Sequence, residues 1–291
     1  MSSTIISPKA EVSPKAHIGE GCKIFPFVYI EDDVVIGDNC IIFPFVSILN
    51  GTRMGNGNKI HQGSVIAALP QDFNFKGANS QVVMGNGNKI HQGSVIAALP
   101  QDFNFKGANS QVVMGDMNII RENVVINRGT HEGGKTVLGS NNVLMEGVHI
   151  SHDTRVSNSC VIGYGTKIAG DCEIEDGVIF SSSVIENART RVGRGAMIQA
   201  GTTFSKDVPP YIVAGGTPVG YGGVNTTMAR AAGIDEKVIK HIANAYRLLF
   251  HGQNSVFDVC HQIVEQVPDS EEIRIIVDFL RSTKEGIISK L

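Results

Sequence analysis

From Ile6 onward an aliphatic residue returns at every sixth position: Ile6, Val12, Ile18, Ile24, Ile30, Ile36, Ile42, Ile48, Met54, Ile60 and Ile66. An amphipathic helix repeats near 3.6 residues and a half-buried strand at 2, so this period belongs to neither as a simple element. Four residues after each aliphatic position stands a small or β-branched residue, as at Ala10, Ala16, Cys22, Val28, Val34, Cys40, Val46, Thr52 and Ser64. Gly, Asn and Asp fill the places between, where the chain must turn cheaply. A strict short period sustained this far is the mark of a solenoid.

Residues 54–83 and 84–113 are the same thirty residues twice, MGNGNKIHQGSVIAALPQDFNFKGANSQVV. Thirty divides into eighteen, which is three hexads, and twelve for an excursion, so duplication preserves the inward phase. Met84, Ile90 and Ile96 should stand where Met54, Ile60 and Ile66 stood, with the rod lengthened by roughly 4.8 Å. The hexads resume at Met114, Ile120 and Ile126, pause in a Gly-rich excursion at 127–135, and continue from Leu138 to Phe204. Phe25-Pro26-Phe27 and Phe43-Pro44-Phe45 lie one coil apart and should stack as corner residues. Glu186 falls on an inward position, where an unpaired carboxylate is costly; it must rotate out locally or have a partner.

This pattern resembles the hexapeptide repeat of left-handed parallel β-helix proteins, which implies an all-β prism over residues 1–206 with one hexad per side. A Gly- and Pro-rich connector follows at 207–225, and the period then becomes helical over 226–291. One stripe runs through Val238, Ile239, Ile242, Ala245, Tyr246, Leu249 and Phe250, a second through Val256, Val259, Ile263 and Val267, and a third through Ile273, Ile276, Val277 and Leu280. Asp269 ahead of Glu272 reads as a capping box for the last helix, and the helices as a small domain covering the open end of the prism.

Composition removes several classes of function. At 291 residues, a net charge of −3 and a pI near 6.3, nothing points to nucleic acid or a membrane surface. Five cysteines without a C-x-x-C pair read as buried free thiols in a reducing compartment. The first residues lack a basic and apolar leader pattern, and no apolar run approaches 18 residues, so a soluble cytoplasmic protein is expected.

The candidate chemistry sits in Leu144-Met145-Glu146-Gly147-Val148-His149-Ile150-Ser151-His152-Asp153. His149 and His152 flank the inward Ile150 and so take outward or corner positions. Two histidines followed by an aspartate suit a general base with an orienting carboxylate; the same pattern also describes two solvated histidines.

The segments PQDFNFKG, RENVVINRGT, GSNNVLMEGVHISHD, KIAGD, and DVPPYIVAG followed by NAYRLLF resemble the UDP-N-acetylglucosamine O-acyltransferase family, in the same order and over nearly the whole chain. The resemblance implies a homotrimer with active sites between adjacent prisms. It also implies transfer of a 3-hydroxyacyl group from acyl carrier protein to the 3-hydroxyl of UDP-N-acetylglucosamine, the first step of lipid A synthesis, without metal or cofactor. By motif, His152 matches the catalytic base, Asp153 its neighbouring carboxylate, and the backbone N–H of Gly170 the oxyanion donor. His149, Gln101, Asp102 and Asn225 match substrate-binding positions, the second loop copy being the one whose spacing to His152 fits. Gln71 and Asp72 should lie one coil away. The chain departs from the family at Asn104, Asp171, Asn187 and Ala188, and has only Arg230 beside Ala231 and Ala232 where further cations are usual. Two other readings compete. One is a non-catalytic trimeric scaffold that binds carrier protein. The other is a zinc hydratase resembling the γ-class carbonic anhydrases, with His149 and His152 among its ligands.

Overall fold

Each hexad folds as a strand of about two residues and a tight turn. Lys23–Ile24, Ile41–Ile42 and Lys59–Ile60 form one ladder, and Tyr29–Ile30, Ser47–Ile48 and Val65–Ile66 the next. Among the described residues every hexad strand from Ile5–Ile6 to Thr203–Phe204 pairs in parallel with its neighbour one coil away, within three sheets of 13, 10 and 9 strands, the sides of a left-handed parallel β-helix. The structure is a computed structural model that describes residues 3–68, 80–102, 105–252 and 254–290.

The inward positions make one continuous core. Ile24, Ile30, Ile42, Ile48, Ile60, Ile66, Ile90, Ile96, Ile120 and Ile126 are each at most 3% exposed, and each such side chain contributes about 1.5–3 kcal/mol by leaving water. Turns close on residues in the left-handed region. Gly21, Gly57 and Gly63 take it at no steric cost, and Asn39, Asn123, Asn141, Asp153 and Asp171 are the side chains that tolerate it best. The five cysteines are buried and free. Burial pushes the Cys40 thiol up to about 11 and that of Cys160 up to about 12, so neither is a thiolate nucleophile at neutral pH.

The duplicated coil stacks on its own copy residue for residue, with Lys59 beside Lys89, Ile60 beside Ile90, Val82 beside Val112 and Met84 beside Met114. An internal asparagine ladder runs through the repeat. The Asn88 amide donates to Asn58 Oδ1 (2.8 Å), the Asn118 amide to Asn88 Oδ1 (2.9 Å), the Asn142 amide to Asn118 Oδ1 (2.9 Å) and the Cys160 amide to Asn142 Oδ1 (2.8 Å). Because each rung needs only the same residue one coil away, an inserted coil finds its hydrogen bonds already matched. Gln71 and Asp72 lie outside the described residues.

On the outer edge, Phe25 stacks on Phe43 (5.4 Å between centroids) and Phe27 on Phe45 (5.2 Å), as the spacing requires. The first column continues through His61 and His91.

Glu186 points inward between Ile168 and Phe204 of neighbouring coils and is 1% exposed. Its partner is Thr190, whose Oγ1 donates to Oε1 at 3.0 Å, while Oε2 has none among the described residues. Burial raises its carboxyl well above the usual range. A group whose folded pKa is raised contributes stability that is fully present below the unfolded carboxyl range and lost as pH rises through the folded value. Glu186→Gln therefore stabilises the protein relative to wild type by a margin that grows with pH, by up to about 1.4 kcal/mol per pH unit. Denaturant unfolding at pH 5 and pH 8 measures that margin.

The segment 207–225, read as a connector, is built into the rod. Ile212–Gly215 extends the 13-stranded sheet and turns back antiparallel as Gly220–Val224, onto which Ser289–Lys290 pairs. Glycines and prolines marked a break in period, yet the strand pairing they permit was invisible in the hydrophobic pattern. Among the described residues four helices follow: α1 (Thr226–Ala231), α2 (Glu236–His251), α3 (Val256–Gln266) and α4 (Glu271–Ser282). The three expected stripes are the buried faces of α2, α3 and α4. The N-cap of α4 is Ser270, accepting from the Ile273 amide, while Asp269 pairs with Arg274 at 2.6 Å; the cap lies one residue later than read, and with Ile273 at the third helical position the expected capping box does not form. Tyr246 Oη donates to the Pro210 carbonyl at 2.5 Å and Phe279 lies under the Arg191 guanidinium, which ties the helices to the last coils.

Candidate active site

His149–Ile150 is a strand of the 10-stranded sheet, and Ser151, His152 and Asp153 form the corner after it. Asp153 takes φ 58° there, which turns its carboxylate back beside its neighbour. His152 Nδ1 lies 3.1 Å from Asp153 Oδ2. The same oxygen accepts from the Thr130 amide (2.9 Å) and the Thr130 hydroxyl (2.8 Å), and the Asp153 amide donates to Thr136 Oγ1 (2.9 Å). A carboxylate held by that many donors is an acceptor toward imidazole, so Nδ1 of His152 carries the proton and Nε2 is left basic. The His152 side chain is 18% exposed and that of Asp153 7%.

Gly170 sits one coil on, directly against the imidazole. A Cβ there would lie 2.6 Å from His152 Nε2 and closer still to Cε1. Only glycine admits the ring in this position. Its amide donates to no acceptor among the described residues, because the next residue up the corner is Ala188, which offers no side-chain oxygen. On another edge of the rod the Ser140 and Asn158 amides are taken by Asn158 Oδ1 and Asp176 Oδ1 of the coil above.

His149 flanks the same corner. Asn127 Nδ2 donates to the Leu99 carbonyl, so its Oδ1 faces His149 Nε2 and accepts from it. Burial first, then the nearby Lys167 cation and the neighbouring His152 ring, push the His149 imidazole below its usual range, and it is neutral at pH 7. The Asn127 bond fastens it to the base of the loop from Leu99 to Asn109. That loop carries Gln101, which is exposed, and Asp102, which is half-buried and whose carbonyl accepts from the Phe105 amide at 3.1 Å. Asn104 lies outside the described residues.

Asn225 is not brought to this cluster. It caps α1 through Oδ1 to the Met228 amide and donates through Nδ2 to the Gly195 carbonyl, so both ends of its amide are occupied. Arg230 is likewise paired, with Glu236. Among the described residues no three His, Cys, Asp or Glu side chains converge on a metal position, and no helix is long and apolar enough to cross a membrane.

Thr130 and Asn127 had no signal in spacing, since each reaches its partner from the excursion at 127–135, outside the repeat. Arg128 is a further surprise: it is completely buried, all three guanidinium nitrogens lack partners among the described residues, and only the Phe105 ring lies over it, at 5.5 Å. Burial lowers its affinity for the proton. Arg128→Met removes the desolvation penalty at the loss of one cation–π contact, and is expected to raise the unfolding free energy by about 1 kcal/mol. Calorimetric melting of the two proteins checks this.

Comparison with known proteins places the fold. Residues 207–288 match the family model described as UDP N-acetylglucosamine O-acyltransferase, domain 2. Residues 15–42 and 33–68 match the bacterial transferase hexapeptide model. The crystal structure of a UDP-N-acetylglucosamine acyltransferase from Bacteroides fragilis superimposes with a TM-score of 0.80 at 44% identity, covering 98% of this chain and 100% of that one. The enzyme from Francisella novicida gives 0.74 at 29% identity, covering 98% and 94%. Among curated relatives, the acyl-[acyl-carrier-protein]–UDP-N-acetylglucosamine O-acyltransferase of Aquifex aeolicus is 35% identical over 81 residues, 28% of this chain and 31% of that protein. The chain thus matches about a third of the length of such curated relatives, against the full length of the Bacteroides fragilis structure. On that full-length similarity, the chain belongs to the UDP-N-acetylglucosamine O-acyltransferase family.

Proposed function

We propose that the protein transfers a 3-hydroxyacyl group from acyl carrier protein to the 3-hydroxyl of UDP-N-acetylglucosamine, in the cytoplasm and as a homotrimer. The observation that carries the reading is His152, its Nδ1 held by Asp153 and its Nε2 lying over Gly170. Nε2 takes the proton of the sugar hydroxyl as the oxygen attacks the thioester carbonyl. The tetrahedral oxyanion meets the Gly170 N–H, the carbon–sulfur bond breaks, and the proton passes to the departing thiolate. A positioned base of this kind contributes about 10²–10⁴-fold, and a preorganised donor at the oxyanion about 10²–10³-fold.

His149, Gln101 and Asp102 are assigned to the sugar. His149 is neutral with Nε2 engaged, which suits it to contact and not to proton transfer. Asn225, locked into its cap, is assigned to placing the α1 corner near the nucleotide. Incubation with a mixture of hydroxyacyl carrier proteins and UDP-N-acetylglucosamine, followed by mass measurement, tests the proposal. One 3-O-acylated UDP-sugar is expected, and no product from any donor would overturn it in favour of a scaffold.

A further inference from the structure

Asp153 Oδ2 is crowded with donors, whereas Oδ1 is buried and has no hydrogen bond among the described residues. A bare buried carboxylate oxygen is expensive. A side-chain donor stands beside it: His131 Nδ1 lies 3.5 Å away. Its place there is built. Thr130, the residue before it, is tied to Asp153 through both its amide and its hydroxyl, and the Gly134 amide closes a turn on the His131 carbonyl at 2.8 Å. Glycines clear the space: a Cβ on Gly129 would lie 2.6 Å from Oδ1, and one on Gly134 2.9 Å from Oδ1 and 3.3 Å from His131 Cε1.

We propose that His131 is a positioning residue for the base, donating from Nδ1–H to Asp153 Oδ1 so that one carboxylate holds two imidazoles. At 3.5 Å the bond is longer than a formed N–H···O bond. The ring is 70% exposed and free to swing the remaining distance. With Oδ1 held, the carboxylate cannot rotate away from His152, and the Nδ1–H tautomer of the base is kept while charge develops on its ring. The kinetic part of this inference rests on the acyltransferase reading; the spectroscopic part does not.

The test is 15N NMR of histidine-labelled protein together with steady-state kinetics. A neutral exposed histidine ordinarily carries its proton on Nε2, and a carboxylate at Nδ1 reverses that. His131 is expected to show the Nδ1–H tautomer in wild type and to lose it in Asp153→Asn. His131→Leu should lower kcat by about ten-fold with KM unchanged, the size of a hydrogen bond to a charged group, and His131→Asn, which keeps a donor, should recover most of it. An Nε2–H tautomer for His131 in wild type overturns the proposal whether or not the protein turns over. So does a His131→Leu enzyme with wild-type kcat.

Discussion

Replacing His152 with alanine is expected to lower kcat for acyl transfer on the order of 10²–10⁴-fold, the contribution of a positioned general base. KM for the UDP-sugar should change far less. Neither His149 nor Asp153 is placed to take over. His149 has its Nε2 committed to Asn127, and the Asp153 carboxylate is 7% exposed and saturated at Oδ2. The fold should survive, because the ring lies on the corner and contributes nothing to the aliphatic core. Rates measured beside circular dichroism melting check both halves. A variant that retains more than a tenth of the rate would remove His152 from the chemistry.

Gly170→Ala should be nearly as severe, by a different route. The backbone at Gly170 needs no left-handed conformation, so alanine causes no strain of its own. Its methyl would instead occupy the space of the His152 ring, 2.6 Å from Nε2 and 2.9 Å from Nδ1. The ring must move by about an ångström, which breaks its bond to Asp153, and a displacement of that size costs roughly 10²-fold. Steady-state kinetics with the 15N resonance of His152 Nδ1 separate ring displacement from loss of the amide donor. An unmoved resonance with full activity would refute the account.

Residues in contact along the chain, or one coil apart, were readable before any coordinates. Ile60 over Ile90 and Phe25 over Phe43 follow from period alone, since a solenoid turns sequence distance into spatial distance. Excursions break that rule. Thr130 lies 23 residues before Asp153 and Asn127 22 before His149, neither a multiple of the coil, and the Gly-rich segment between them lets the chain wander before it returns. Glu186 is a partial case: Thr190 stands four residues on, at the small position of the hexad, but the bond between them depends on the direction each side chain takes at the corner.

What the linear order of residues determined by itself is the rod: its period, its inward face, the tolerance of a repeated coil, and the motif that marks His152. Those depend on local turn geometry and on burial, which act between neighbours in sequence or one coil apart. Tertiary structure alone decided that Asp153 is gripped by Thr130, that Asn225 is spent on a helix cap, and that Arg128 is buried with no hydrogen-bond partner among the described residues. These rest on hydrogen-bond directions and side-chain volumes across separate segments, which have no period and so leave no trace along the chain.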